Sequence, residues 1–254
     1  VGTSPAVAGL LRRLESAMES EPAAWAQRYD MQRFYLLCWS AVALRGQDRS
    51  AAYSEAQAPL TKLLKTHLER HPEDKAAREF LAELPGLRFS CDSLQELHGG
   101  SVESHRDDLE LGEGKDRVVG IWFPDIPVPQ GARIKRAYVQ FTADEKEPCS
   151  EKTDLVLHAE LAANAEAFAD VKHNITSRPK TAASVEWSPE PWTVPDERSQ
   201  KQRTPDLSPL IQEVVNQPDW QKGNALVLII SGSGRRNAQS DWSETGHPTL
   251  YVEH

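Results

Sequence analysis

Several features that would assign a function directly are missing from this sequence. It has no run of eighteen apolar residues, so it offers no candidate transmembrane helix. It contains no GxSxG, HExxH, P-loop or Rossmann glycine motif, so the common signatures of hydrolases, zinc proteases and nucleotide-binding enzymes are lacking. Only three cysteines occur and none belongs to a CxxC pair, which leaves zinc ribbons and c-type haem attachment unsupported. Nothing in the sequence therefore indicates an active site.

An excess of basic residues is also lacking. The chain has 29 Lys and Arg against 38 Asp and Glu, which gives a formal net charge of −9. Nucleic acids and anionic membranes are bound through basic faces, so neither is an expected partner. The charge fits a soluble protein or one that binds cations. Because the chain begins at Val1 and not at Met, the missing signal peptide does not argue for a cytoplasmic protein.

The three cysteines lie in different contexts. Cys38 falls within an apolar helical segment, where a thiol behaves as a small buried hydrophobe. Cys91 and Cys149 flank the start of a region with strand patterns. A disulfide between them and two free thiols are both compatible with the sequence, and the disulfide would require an oxidising compartment.

Helical patterns dominate residues 1–86. One apolar stripe at helical spacing is formed by Val7, Leu10, Leu11, Leu14 and Met18. Residues 31–45 are apolar nearly all round and predict a buried central helix. Pro59 is expected to kink or split the helix in which it lies. Residues 51–84 faintly resemble a tetratricopeptide hairpin, although only one repeat is visible, so an ordinary helical bundle remains the alternative.

The remaining sequence predicts a connector over 87–100 and strands over 101–254. Side chains alternate at period two around Ala137, Val139 and Phe141, and again around Leu155, Leu157 and Ala159. Residues 225–230 are apolar on both faces and predict a central strand. The fold class is therefore α+β, with an N-terminal helical bundle followed by an antiparallel β-sandwich of jelly-roll type.

One helix is expected to interrupt these strands. Thr204 is a candidate N-cap, and Pro205 suits a first helical position. Apolar residues follow at helical spacing: Leu207, Leu210, Ile211, Val214 and Val215. We expect this helix to plug one end of the sandwich.

The order of these segments resembles a known group of bacterial modules. The carriers of the resemblance are DLELG, VGIWF, YVQFTADE, QRTPDLSPLIQEVVN, GNALVLIISGSG and PTLYVEH. Together they are similar to the secreted or surface β-sandwich modules of the DNRLRE and carbohydrate-binding-module type. The resemblance covers residues 100–254 and implies an exported protein with a binding or structural role. It also implies a structural calcium, which similar sandwiches often carry.

Carboxylates on a predicted strand, at a strand end and in the loop before the last strand are candidate ligands for that ion, since calcium takes six to eight oxygen ligands. The candidates are Asp108, Glu110, Asp144, Glu145 and Asp241. A solvated acidic surface is the alternative interpretation of the same residues.

Tryptophans and a basic loop are the candidate ligand-binding residues. Trp192 and Trp242 lie in Pro- and Ser-rich loops, where an exposed ring stacks against the apolar face of a sugar. Trp122 and Trp187 lie within strand patterns and are assigned to the core. A neighbouring loop adds three side chains that either bind a hydroxyl or carboxylate of a ligand or are simply exposed: Arg235, Arg236 and Asn237.

Two functions from different classes fit these observations. The first is a non-catalytic, exported module that binds a polysaccharide or cell-surface glycan. The second is an accessory or scaffold subunit of a larger protein assembly, which docks through the helical domain. A glycan-active enzyme would need two carboxylates roughly 5–9.5 Å apart in a cleft, which a sequence does not reveal.

Overall fold

The computed structural model describes residues 5–20, 49–84, 87–88, 91–103, 106, 108–113, 117–144, 149–241 and 246–254. The chain divides into two compact units, Val1–Phe89 and Ser90–His254. The predicted central helix at 31–45, with Cys38, lies outside the described residues. The coarse prediction of an α+β fold with antiparallel sheets is confirmed.

The first unit contains helices α1 (Pro5–Ser20), α2 (Arg49–Arg70) and α3 (Lys75–Glu83), followed by the short strand β1 (Leu87–Arg88). Leu14 and Met18 of the predicted α1 stripe are fully buried. The helix α2 continues through Pro59 as one element and is not split there. At the start of α3, Asp74 accepts a hydrogen bond from the Ala77 N–H (3.0 Å) and contacts His67 Nε2 (2.9 Å). A helix N-terminus needs such an acceptor, because its first N–H groups have no partner within the helix.

The described residues of the second unit form ten strands, one α-helix and two short 3-10 helices. The strands are β2 (Asp92–Glu96), β3 (Val102–Glu103), β4 (Asp108–Leu111), β5 (Val118–Phe123), β6 (Arg136–Gln140), β7 (Asp154–Ala159), β8 (Val185–Trp187), β9 (Leu226–Ser233), β10 (Arg236–Gln239) and β11 (Thr249–Glu253). Six of them form an antiparallel sheet in the order β3-β2-β5-β9-β7-β8. Separately, β4 pairs with β10, and β6 pairs with β11, again antiparallel. Strand β2 lies within residues 87–100, the range predicted as a connector, and pairs with β5.

The main core of this unit draws on all of these strand groups. In β7, every second residue is buried, as the alternation of Leu155, Leu157 and Ala159 predicts. Strand β9 lies between β5 and β7, and its residues 226–230 are buried on both faces. The predicted central strand is thereby confirmed. Cys91 and Cys149 are both buried, and no disulfide bond joins them in the structure.

The predicted helix is present as α4 (Ser208–Val215), and its apolar stripe packs into the main core. It begins later than the sequence indicates. Thr204 does not cap it; its hydroxyl accepts a hydrogen bond from the Val139 N–H instead (3.0 Å). Asp206 accepts hydrogen bonds from the N–H groups of Ala137 (3.0 Å) and Ser208 (3.1 Å). Both side chains therefore bind the strand β6, a contact that local sequence does not encode.

Candidate functional site

The six-stranded sheet carries a second apolar cluster on the face turned away from the main core. A loop of residues 161–180, here called the covering loop, contributes to it. The cluster consists of Leu94, Val118, Ala165, Ile175, Val227 and Ile229, with Val102, Trp122 and Phe168 packed against it. Sheet faces exposed to water usually carry polar residues. The six members of the cluster are buried, and the half-buried residues at its edge, Val102, Trp122 and Phe168, are therefore the part of this face that suits binding.

Trp122 lies on this face of β5 and is half-buried. Its register partners are Asp92 on β2 and Val227 on β9. The indole N–H donates a hydrogen bond to the carbonyl oxygen of Ala165 in the covering loop (3.0 Å). Because this bond fixes the plane of the ring, Trp122 presents a rigid, partly accessible aromatic surface.

Phe168 is the second half-buried ring of the cluster, and it lies over Gly120. A Cβ atom at Gly120 would be 2.6 Å from Phe168 Cζ and 3.2 Å from Ile175 Cδ1. Gly120 and Trp122 are two residues apart on β5, so they share one face of the sheet. Because Gly120 has no side chain, the Phe168 ring can pack against this position, which neighbours Trp122 on the same face. We call Trp122 and Phe168 the aromatic pair.

Two charged side chains hold the covering loop in place. The buried carboxylate of Glu96 accepts hydrogen bonds from the N–H groups of Ile175 (2.8 Å) and Thr176 (2.9 Å), and from the Thr176 hydroxyl (2.5 Å). Burial raises the pKa of Glu96, but these hydrogen bonds outweigh it and lower the pKa overall. Arg178 forms an ion pair with Glu160 (2.6 Å) and lies over the Phe168 ring, with 4.9 Å from Cζ to the ring centroid.

The predicted sugar-stacking role of Trp192 does not agree with its position. The ring is 2% exposed and lies in the main core, where it contacts Trp187 and Phe141 at centroid distances of 6.1 and 6.4 Å. Its indole N–H donates to the Lys201 carbonyl oxygen (3.1 Å). Such a ring has no accessible face for a sugar. Trp187 is in the core, as predicted, and Trp242 lies outside the described residues.

Arg236 is also buried, at 1% exposure, and its guanidinium is used within the fold. It donates to five acceptors at 2.6–2.9 Å: the carbonyl oxygens of Glu151, Pro189, Glu190 and Arg235, and the Thr153 hydroxyl. Because the guanidinium is buried and engaged in these hydrogen bonds, the predicted contact of Arg236 with a ligand does not agree with its position. Arg235 is half-buried and lies 3.8 Å from Glu151. Asn237 is buried at 8% exposure on β10 and does not present an open surface to a ligand.

The predicted calcium ligands are brought near one another only in part. Glu110 is the register partner of Asn237, and the Asp144 N–H donates to the Asn237 carbonyl oxygen (2.9 Å), so Glu110 and Asp144 lie to either side of Asn237. Asp241 accepts a hydrogen bond from the Ser93 hydroxyl. Glu145 lies outside the described residues. Within the described ranges, no group of three or more His, Cys, Asp or Glu side chains is arranged to hold a metal.

Two arginines neutralise the carboxylates of β4. Arg106 binds Asp108 (3.3 Å) and Glu110 (3.3 Å), and Arg117 binds Glu110 as well. Burial, followed by a hydrogen bond with Glu113, raises the pKa of Glu110 to about 7, although both arginines act in the opposite direction. The carboxylates of Asp108 and Glu110 therefore form ion pairs with guanidinium groups, and this arrangement does not fit the oxygen shell of a calcium ion. The calcium ion thus stays an expectation from the resemblance, while the ion pairs of Asp108 and Glu110 favour a fold that does not depend on it.

The aromatic pair is the part of the site that sequence reasoning missed. Residues 118–123 are apolar on both faces, so their alternation does not tell which face meets the main core. A weak signal was present, since Gly120 and Trp122 share one phase and Val119, Ile121 and Phe123 share the other. A strand glycine of this kind marks a close approach by another part of the chain.

Helices in the described part of the chain fall short of the length and apolar character that a bilayer crossing requires. Comparison of the sequence with protein-family models and with curated proteins gives no match.

Proposed function

We propose that this protein is a non-catalytic, exported carbohydrate-binding module that holds a glycan against the aromatic pair. The observation that carries the proposal is the fixed, half-buried ring of Trp122 beside Phe168 on an apolar sheet face. The C–H face of a pyranose packs against a flat aromatic ring, and its hydroxyl groups need polar partners at the rim. Asp92, the register partner of Trp122, places a polar side chain next to this ring.

The proposal includes a β-sandwich of jelly-roll type for the second unit and a helical bundle for the first. It is supported by a main core that contains residues of the six-stranded sheet, of the β4–β10 and β6–β11 pairs, and of α4. The resemblance of residues 100–254 to secreted carbohydrate-binding-type modules supports the same fold and the exported location. A rigid sheet suits binding without turnover, because it positions side chains without requiring movement.

The test is retention on insoluble polysaccharides. The purified protein is mixed with microcrystalline cellulose, insoluble xylan, mannan and chitin, and the protein left in solution is measured. We expect retention on at least one polymer, with Trp122→Ala weakening it by about tenfold, or roughly 1.4 kcal/mol. Trp122→Phe keeps a flat ring and is expected to retain part of the binding.

The matched control is Val194→Ala, which removes apolar surface at an exposed turn, where Val194 is 54% exposed. It should bind like the unaltered protein. The proposal would be contradicted if Trp122→Ala and Val194→Ala lost retention equally, or if Trp122→Ala were retained as well as the unaltered protein. No retention on any polymer, together with co-purification of a stoichiometric partner protein, would favour the accessory-subunit function instead.

A further inference from the structure

The carboxylate of Glu96 is buried and accepts hydrogen bonds from one short turn of the covering loop. Glu96 is 2% exposed and is the last residue of β2. Its Oε2 accepts the N–H groups of Ile175 (2.8 Å) and Thr176 (2.9 Å), and its Oε1 accepts the Thr176 hydroxyl. Nδ1 of His173 lies 3.3 Å from Oε1. This set of donors fits the ionised carboxylate, because a protonated oxygen becomes a donor itself.

Residues 173–178 form this turn, here called the clasped turn. Within it, the Arg178 N–H donates to the Ile175 carbonyl oxygen (3.2 Å). The His173 N–H donates to the Gly100 carbonyl oxygen (2.8 Å), which adds a contact with the turn that follows β2. The clasped turn is therefore a local unit that is attached at the end of β2.

The clasped turn holds Phe168 through three of its members. The Ile175 side chain and the Phe168 ring pack over the same glycine of β5. The Arg178 guanidinium lies over the ring, with 4.9 Å from Cζ to the centroid. Oδ1 of Asn174 accepts a hydrogen bond from the N–H of Ala169, the residue that follows Phe168 (3.3 Å). Displacement of the clasped turn must therefore disturb one half of the aromatic pair.

Few charged groups face the Glu96 carboxylate. His173 faces it from the covering loop, and His98 is exposed in the turn after β2. The register partners of Glu96 on β3 and β5 are both valines. The charged neighbours on those strands, Glu103 and Arg117, lie beside the preceding residue of β2, which belongs to the opposite face. The ionisation of Glu96 is therefore governed by its burial and by the donors of the clasped turn.

The sign of the pH dependence follows from these contacts. Burial raises the pKa of Glu96, but the hydrogen bonds from Thr176, Ile175 and His173 lower it below its ordinary value of 4.5. A carboxyl group of this kind contributes stability that is present above its unfolded pKa and is lost as the pH falls through the folded pKa. The contact is thus complete at neutral pH and is weakened by acid.

From this geometry we infer that Glu96 is a positioning residue of the glycan site, because its ionised carboxylate clasps residues 173–178 onto β2 and so holds Phe168 in the aromatic pair. The inference rests on the proposed function and adds its regulation. Protonation of Glu96 loosens the clasped turn, and glycan binding becomes weaker in acid.

NMR of the backbone amides of the whole chain, recorded from pH 7 to about pH 3, tests the clasp without a glycan. We expect the amide resonances of Ile175 and Thr176 to shift together, with a midpoint below pH 4.5. The amide of Ala169 should shift with the same midpoint, because its acceptor belongs to the clasped turn. The amide of Val139 in the main core should not move in this transition.

Variants identify the group that titrates. Glu96→Gln is expected to abolish the shared transition, whereas Glu166→Gln, at an exposed position of the same loop, should keep it. Thr176→Val removes a hydrogen bond to the ionised form and should raise the midpoint. A transition that persists in Glu96→Gln, a midpoint unchanged in Thr176→Val, or a simultaneous shift of Val139 would overturn the inference.

The effect on binding is measured by retention on the polysaccharide that binds the unaltered protein. We expect affinity to fall about tenfold below the NMR midpoint, as it does when the competent site is present in about one-tenth of the molecules, and to converge on that of Glu96→Gln. Retention that changes neither with pH nor in Glu96→Gln would overturn the positioning role and leave the proposed function intact. Retention on no polymer at any pH would remove the proposed function and the effect on binding, while the NMR titration still decides whether Glu96 clasps the turn.

Discussion

The ring of Phe168 occupies the space that a side chain at residue 120 would fill, with 2.6 Å between Phe168 Cζ and a Cβ built on Gly120. This close packing is one of several contacts that join the sheet to the covering loop, and it sets the position of one half of the aromatic pair. A loop of this length with little regular structure depends on such anchors, because it has few backbone hydrogen bonds of its own.

The first prediction concerns Gly120→Ala. The added methyl group displaces Phe168, and overpacking of this kind costs about 1–3 kcal/mol. We expect a lower free energy of unfolding and weaker retention on the polysaccharide that binds the unaltered protein. The control is Gly9→Ala in α1, where a Cβ would find its nearest neighbour 4.0 Å away. Gly9→Ala should keep binding, and equal binding by Gly120→Ala would contradict the role of Phe168.

A second prediction concerns the buried guanidinium of Arg236. Arg236→Met removes the donor from two buried acceptors, the Pro189 carbonyl oxygen and the Thr153 hydroxyl, and from three part-buried carbonyl oxygens, and each buried loss costs about 1–3 kcal/mol. We expect urea denaturation to show a destabilisation of at least about 3 kcal/mol. The adjacent Arg235→Met, at a half-buried position, is the matched control and should cost less than about 1 kcal/mol. Similar costs at both positions would show that the Arg236 contacts do not stabilise the fold.

Glu110 gives a prediction about pH. Its pKa rises from 4.5 to about 7 on folding, so the folded state binds a proton that the unfolded state releases between these values. The contribution of Glu110 to stability is therefore largest below pH 4.5 and is lost as the pH rises through about 7. The excess stability of the unaltered protein over Glu110→Gln should fall between about pH 5 and about pH 8.

Urea titrations at these two pH values measure that difference, and the exposed Glu166→Gln serves as the control. A difference that stays constant or grows with pH would contradict the placement of Glu110 among Glu113, Arg106 and Arg117.

Sequence patterns predicted those elements whose partners are decided locally. The apolar stripe of α4, the alternating burial of β7 and the burial of β9 on both faces follow from residue spacing. A helix or strand with such a pattern can bury its apolar side chains only by turning that face or those faces to the core. The tryptophans could not be predicted in this way. Trp192 lies in a Pro-rich segment, a composition typical of exposed loops. Its backbone nevertheless forms an isolated β-bridge with Cys149, and its ring is buried in the core.

Calcium removal tests the predicted structural ion. Because Arg106 and Arg117 already neutralise Asp108 and Glu110, we expect EDTA to leave the melting temperature unchanged. A ligand that binds only the folded state must raise the melting temperature, by about 2.7 kcal/mol of stability at one hundred times its Kd. A rise of the melting temperature with added calcium would show that the folded protein binds the ion. The variants Asp108→Asn and Asp144→Asn would then test which of the predicted ligands hold it.

The claim that a glycan lies on the outward face of the six-stranded sheet is tested most directly by hydrogen–deuterium exchange with a bound soluble oligosaccharide. The oligosaccharide is taken from the polymer that retains the protein. The account predicts slower exchange in peptides covering β5 and residues 161–180, and unchanged exchange in β6, β11 and the helices of the first unit. Protection confined to those other elements, with β5 and residues 161–180 unaffected, would contradict it.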